Sequence, residues 1–438
     1  MGGEWAPIRL GDVCSKIGSG ATPRGGNEVY LESGPFALIR SQNVYNDGFH
    51  RDGLAYIGDH HAAELANVEV LAGDVLLNIT GDSVARACQV DSGVLPARVN
   101  QHVAVVRPDR NRLDPRFLRY LLISPNMQSK LLSWAGSGGT RNALTKSMIE
   151  AFEILAPEDI GEQRAIAHIL GTLDDKIELN RQMAETLEAM ARALFKSWFV
   201  DFDPVCAKAE GRDPGLPKPL ADRFPSRLVD SELGQIPAEW KAGTLADFAS
   251  LNPEAWSKET RPNVINYMDL SSTKWGRIEA IRAYAQQDAP SRAQRVLRPK
   301  DTVIGTVRPG NGSYTFITEA GLTGSTGFAV LRPRRVEFAE FIYLAATAAE
   351  NIEALSHLAD GGAYPAIRPE VVAATPVIEP DAKVLAAFSK SVASLLAKMA
   401  RSERESRTLA ALRDTLLPKL ISGELRAKDA ETINGGAV

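Results

Sequence analysis

Two stretches of this chain place their apolar residues in an unbroken alternation of four- and three-residue steps. The first runs through Ile166, Leu170, Leu173, Ile177, Asn180, Ala184, Leu187, Ala191, Leu194 and Trp198. The second runs through Phe388, Val392, Leu395, Met399, Ser402, Ser406, Leu409, Arg413, Leu416 and Leu420. That spacing keeps one stripe of an α-helix turned toward a partner helix, so it predicts coiled-coil helices over 158–203 and 381–426. At 1.5 Å per residue, helices of about 35 residues would each run roughly 50 Å. The polar seam members Asn180 and Ser402 fall at equivalent heptad positions, where a polar residue fixes register at some cost in stability. Two separate amphipathic helices, each packed on its own domain, would show a similar stripe. Pairing of the two helices is favoured because each one ends an equivalent repeat.

That repeat is visible between the helices. EWAPIRLGDV at 4–13 parallels EWKAGTLADF at 239–248, and LAGDVLLNITG at 71–81 parallels LRPKDTVIGTV at 297–307. HVAVVRP at 102–108 parallels GFAVLRP at 327–333, each leading to a Phe-containing helical stretch at Phe117 and Phe341. SGGTRNALTKSMIEAFEILAP at 137–157 parallels DGGAYPAIRPEVVAATPVIEP at 360–380. Two long copies are a duplicated domain rather than a solenoid. Between the matching blocks the copies barely resemble one another, the pattern of one scaffold presenting two surfaces. The chain is therefore predicted to be α+β: a mixed domain at 1–157, a helix at 158–203, a second mixed domain at 239–380 and a helix at 381–426. Prolines at 204, 214, 217, 219, 225 and 237 cannot continue a helix and mark 204–238 as a connector. The last residues, 427–438, are expected to form a flexible tail. An antiparallel helix pair with a domain at each end would have approximate two-fold symmetry.

Composition adds exclusions. At 438 residues the chain is too long for one core. No apolar run approaches the roughly 18 residues of a membrane span, and MGGEWAPIRLGDV lacks the basic-then-apolar order of a secretory signal. Cys14, Cys88 and Cys206 are three isolated cysteines, which argues against a disulfide framework and for a reducing cytoplasm. The net charge of −4 does not suggest a polyanion as partner. Locally it varies: 158–204 holds 5 basic and 10 acidic residues, 381–426 holds 9 and 5. No G-x-x-x-x-G-K-[ST] loop is present, and NPE at 252–254 and DPV at 203–205 read as turns, not as an NPPY-like methyltransferase motif. His60, His61 and Glu64 lack the spacing of a metal site. No catalytic residue and no metal ligand is assigned.

EQRAIAHILGTLDDKIELN at 162–180, LFKSWFVDFDP at 194–204, SRLVDSELGQIPAEW at 226–240 and LLPKLISGELR at 416–426 closely resemble the conserved regions of type I restriction–modification specificity subunits. GDVLLNITG at 73–81 resembles the framework of their target-recognition domains. The resemblance spans nearly the whole chain. It implies a noncatalytic subunit with two target-recognition domains, each reading half of an asymmetric, bipartite site in double-stranded DNA. It implies that the helices set the gap between half-sites and dock two modification (methyltransferase) subunits, which restriction subunits join. S-adenosylmethionine, ATP and Mg would bind those partners; no cofactor is expected in this chain, and no membrane. A two-headed coiled-coil scaffold for protein partners is the alternative, and unrecognised nuclease activity a third reading.

Arg and Lys suit guanine and Asn and Gln suit adenine in the major groove, so polar loop clusters are the candidate DNA contacts. In the first copy these are Arg40, Ser41, Gln42 and Asn43; Thr80 with Arg86; Asn100, Gln101 and His102; and Thr140, Arg141 and Asn142 with Lys146. In the second they are Asn266 and Tyr267; Thr306 and Arg308 with Asn311, Ser313 and Tyr314; Ser325 and Thr326; and Tyr364 with Arg368. Polar Gly-rich loops also form where side chains only cap backbone groups.

Overall fold

The computed structural model describes residues 5–136, 142–257, 259–359 and 365–434. The chain divides into two compact units, 1–178 with 407–438, and 179–406. Each is built from two four-stranded sheets, a two-stranded ribbon, short helices and part of each long helix, and the second unit adds two further two-stranded hairpins.

In the first unit one sheet has the order Cys14–Ser19, Val103–Pro108, Val75–Asn78, Ala87–Gln89, all antiparallel. The other has the order Ala55–Ile57, Phe36–Ile39, Ala97–Val99, Glu69–Val70, in which Phe36–Ile39 and Ala97–Val99 run parallel. The second unit repeats both arrangements. Its first sheet has the order Ala249–Leu251, Phe328–Pro333, Thr302–Gly305, Tyr314–Phe316. The other is Arg282–Ala285, Val264–Met268, Leu322–Ser325, Ala293–Leu297, again with one parallel central pair. Trp5–Arg9 pairs with Glu153–Pro157 as Lys241–Thr244 pairs with Pro376–Glu379.

The uninterrupted apolar runs of the repeat are central strands covered on both faces. Val75, Leu77, Ala104 and Val106 face a core shared with helices, while Leu76, Val103 and Val105 face a second core with the other sheet. Ile304, Ala329 and Leu331 against Val303, Phe328 and Val330 divide in the same way. A strand buried on both sides has no polar alternation to show.

The long helices span Ile160–Phe199, 40 residues, and Ala382–Ser422, 41 residues. In the first unit Ile166, Leu170 and Leu173 share a core with Leu416, Leu417, Leu420 and Ile421. In the second, Ala184, Leu187, Ala191 and Trp198 share one with Phe388, Val392, Leu396 and Met399. Early residues of one helix thus meet late residues of the other, so the pair is antiparallel. Asn180 is buried and its Nδ2 donates to Glu405 Oε2 at 3.0 Å; Ser402, also buried, lies 3.7 Å from Met183 Sδ. The apolar stripe is wider than a strict heptad seam. Ile177, Leu194, Leu395 and Leu409 are only half-buried, whereas Leu396 and Leu417 are fully covered, because each helix packs on its own unit as well as on its partner.

One polar cluster interrupts this packing. Asp174 accepts from Arg119 at 2.5 Å, from the Tyr120 hydroxyl at 2.6 Å and from Arg413 at 2.8 Å. Burial alone would raise its carboxyl pKa, but Arg119 and the three hydrogen bonds outweigh burial and hold it below the usual carboxylate range.

One sequence expectation is corrected. The tail is a helix over Ala427–Asn434, with Ala427 and Ala430 buried in the first unit's core. The connector segment is itself folded: helices Asp203–Ala209 and Lys218–Ala221 and the hairpin Leu228–Ser231/Gly234–Pro237 follow the first long helix. Phe202 and Phe224 pack there against Trp198 and Trp240, and this apolar anchorage outweighs the prolines. The three cysteines are free; burial pushes the thiols of Cys14 and Cys88 up to about 12.

Candidate nucleic-acid interface

At one end of the first unit's sheets, backbone hydrogen bonds tie five loop segments together. Asn100 N–H donates to Ile39 O at 3.1 Å, Gly20 N–H to Asn100 O at 3.1 Å, Gly81 N–H to Asn142 O at 3.2 Å and Leu144 N–H to Ile79 O at 2.8 Å. Asn78 Nδ2 donates to Ser41 O at 2.9 Å, attaching the 41–50 segment. A polar chain crosses this edge. Thr22 Oγ1 donates to Gln101 Oε1 at 2.7 Å, Gln101 Nε2 lies 2.9 Å from His102 Nε2, and His102 Nδ1 lies 2.6 Å from Thr80 Oγ1. Beside it the Arg86 guanidinium lies 4.7 Å over the Tyr45 ring, which stacks on His50 at 4.3 Å. Arg40 lies over Tyr30 at 5.2 Å and donates to Gly53 O at 2.6 Å, an acceptor it shares with exposed Gln42. Asn142 and Lys146 are exposed, Lys146 lying 3.5 Å from Glu150.

Asn43 leaves the set of readers, and Asn100 is turned toward its own loop. Asn43 is fully buried, and its amide donates to His50 O and Asp52 O while accepting from Arg40 N–H. Asn100 is buried and accepts from His102 N–H. Both shape the loops, and Asn43 has both of its amide N–H groups committed there. Thr140 and Arg141 lie outside the described residues.

The second unit carries the same edge with other side chains. The isolated bridge Thr80↔Ala143 of the first unit has its counterpart in Val307↔Ala366. Arg308 N–H donates to Pro365 O at 2.8 Å and Ile367 N–H to Thr306 O at 2.9 Å. Asn266, Arg308, Asn311 and Arg368 are exposed and Thr326 is half-buried. Thr306, Ser313 and Ser325 are buried, their hydroxyls bonded to Gly327 O, Leu270 O and Gly327 N–H respectively. Tyr267 and Tyr314 are buried too, and burial raises both hydroxyl pKa values. These five are corrected to framework residues. Tyr364 lies outside the described residues.

Sequence reasoning overlooked the aromatic members of both edges: Tyr45 and His50 in the first, Trp275 in the second. VYNDGFH and KWGR set aromatics within turn residues, and that was the available signal. Among the described residues, no group of three His, Cys, Asp or Glu could hold a metal ion, and no helix is long and apolar enough to cross a membrane.

Residues 2–189 match the family model described as the type I restriction modification DNA specificity domain. The Type I restriction enzyme HindI specificity subunit of Haemophilus influenzae is 26% identical over 480 residues, covering 96% of this chain and 100% of that protein. The MjaIX specificity subunit of Methanocaldococcus jannaschii is 23% identical over 355 residues, covering 76% of this chain and 74% of that protein. The crystal structure of a type I restriction-modification system S subunit from M. genitalium shares the fold, with TM-score 0.61 at 15% identity over 95% of this chain and 96% of that one. With a duplicated double-sheet unit, an antiparallel pair of long helices and one relative matched over its whole length, the chain is similar to the specificity subunits of type I restriction–modification enzymes.

Proposed function

We propose that this chain is the noncatalytic DNA-recognition subunit of a type I restriction–modification complex, each unit reading one half of an asymmetric bipartite site. The observation that carries this reading is the repeated framework with unlike edges: one strand order twice, ending in Gln101, His102, Thr80 and Arg86 in one unit and in Arg308, Asn311 and Arg368 in the other. Hydrogen-bonding and cationic side chains at loop ends, held by buried framework residues, suit base-edge and phosphate contacts. Leu179 and Met190 on the first long helix are each 53% exposed, an apolar surface that supports docking of modification subunits there. S-adenosylmethionine would enter with those subunits, and ATP and Mg with restriction subunits. The cytoplasm is the compartment in which such a complex meets DNA.

The test is single-molecule mapping of N6-methyladenine in a host expressing the cognate methyltransferase subunit with and without this chain. A split motif around a fixed gap that vanishes without the chain is the expected result. Persistence of the same motif would overturn the reading. In vitro, affinity for duplex should fall steeply with salt, whereas a protein-only scaffold would bind none at any salt.

A further inference from the structure

Both units place a small hairpin at the same point of the fold. In the first unit the 3-10 turn Ser41–Asn43 leads into a hairpin closed by the bridge Val44↔Phe49, with His50 N–H donating to Asn43 O. In the second the turn Leu270–Ser272 leads into Thr273–Lys274 paired with Arg277–Ile278, with Glu279 N–H donating to Ser272 O. Their tips differ. In the first unit Asn46 Oδ1 accepts from Ala87 N–H at 2.9 Å and Asn46 Nδ2 donates to Gln128 at 3.3 Å, so the tip is tied down.

The other tip is Trp275-Gly276, with φ of +46° and +85°. Two consecutive left-handed residues make a tight hairpin turn that Asn-Gly or Gly-Gly fills without strain. A tryptophan in the first position is a bulky residue where L side chains are disfavoured. Gly276 is required where it stands, since a Cβ would meet the Tyr343 hydroxyl at 2.9 Å as well as an unfavourable φ. The strain brings no compensating burial of the indole, which remains 55% exposed. Its inner side lies over Gly312, where a Cβ would come within 2.5 Å of the ring, and edge-on to Tyr314 at 6.0 Å. Trp275 N–H donates to Gly312 O at 2.6 Å, which fixes the tip beside the Pro309–Asn311 turn carrying exposed Arg308 and Asn311; Lys274 is exposed on the other side. A large aromatic is thus held outward, at a backbone cost, between cationic and hydrogen-bonding side chains. Such strain is retained where the side chain has work to do outside the fold.

We propose that Trp275 is a DNA-contacting residue of the C-terminal unit, its indole packing on a base or sugar while Lys274 and Arg308 flank it at the phosphates. This rests on the DNA-recognition reading. The neighbouring cations favour a polyanion over an apolar protein surface as the occupant. The test uses the full chain assembled with its modification subunits and a duplex carrying the mapped methylation motif, with Trp275→Asn and Trp275→Phe compared with the parent. Trp275→Asn relieves the turn and removes the ring, so the thermal midpoint should rise by about 3 °C while binding weakens roughly tenfold. Trp275→Phe keeps the strain and an aromatic face, and should bind within about threefold of the parent. A raised midpoint with unchanged duplex affinity for Trp275→Asn would overturn the proposal, as would a lowered midpoint, which contradicts the strain. Loss of subunit assembly with unchanged affinity in what does assemble would make the indole a protein anchor and overturn it too. If the parent complex itself shows no motif-selective binding, the underlying DNA reading has failed.

Discussion

The two units are closest where nothing is read and most different where DNA would be met. At the start of one central strand Asp74 accepts from Leu71 N–H at 2.7 Å and clamps Arg107 through both oxygens at 2.7 Å, while Arg107 also donates to Glu69 O at 2.9 Å. Asp301 accepts from Arg298 N–H at 2.9 Å and clamps Arg332 through both oxygens at 2.9 Å, with Arg332 donating to Val296 O at 3.1 Å. The same turn, carboxylate and fork recur in both copies. At the edges the hairpin tips are Asn46-Asp47 and Trp275-Gly276, and Gln101 and His102 of the polar chain from Thr22 to Thr80 match Thr326 and Gly327 in the second unit. A buried charged pair leaves little freedom, since losing either partner strands the other. Solvent-facing loop tips can vary without disturbing the core.

The helix pair teaches the same lesson from inside. The register that sets Asn180 beside Ser402 as equivalents also equates Asp174 with Leu396 and Arg413 with Ala191. An ionic cluster in the first unit is therefore an apolar contact in the second, where Leu396 and Ala191 are buried together. Packing of either kind holds the helices. Only the ionic one is sensitive to acid.

The largest effect is expected at that difference. Asp174→Ala should destabilise the first unit by about 3–5 kcal/mol, because buried Arg119 loses its counter-charge while Arg413 keeps only Asp414; urea denaturation followed by hydrogen exchange localises the loss. The Asp174 carboxyl has its pKa lowered on folding, so its stabilisation is present above the unfolded value near 4 and is lost as pH falls through the folded one. Asp174→Asn should flatten the acid limb of the first unit's stability, and an unchanged limb would show that the cluster is not what titrates. Next come the framework clamps. Asp74→Ala should cost about 2–3 kcal/mol. Asp301→Ala should cost less, since Glu254 stands 2.8 Å from Arg332 and remains as a partner; equal denaturant midpoints for the two variants would contradict that asymmetry. Smallest are the edges. Tyr45→Ala or Arg86→Ala should leave the denaturation midpoint within about 0.5 kcal/mol and weaken duplex binding by about 1–2 kcal/mol.

The framework was legible because its physics leaves a periodic or repeated trace: heptad steps for the helices, matched apolar runs for strands buried on both faces. The edges were legible only as segments. Asn43, Ser313 and Ser325 carry the right groups for reading bases but commit them to loop backbone, a distinction that lies in side-chain direction and not in residue type. Tyr45 and Trp275 went unnoticed because an aromatic in a turn segment looks like a residue seeking a core. The tail misled in the opposite sense, and the internal folding of the connector left no trace. The anchoring residues, Phe202, Phe224, Ala427 and Ala430, are single apolar positions without a period.

The central claim is that one framework carries two separately variable reading edges. The most direct test is to map N6-methyladenine in hosts expressing the cognate methyltransferase subunit with either the parent chain or the Tyr45→Ala/Arg86→Ala variant. The account predicts a split motif in which one half is relaxed and the other half and the gap are unchanged. Relaxation of both halves, or an unaltered motif, would contradict it.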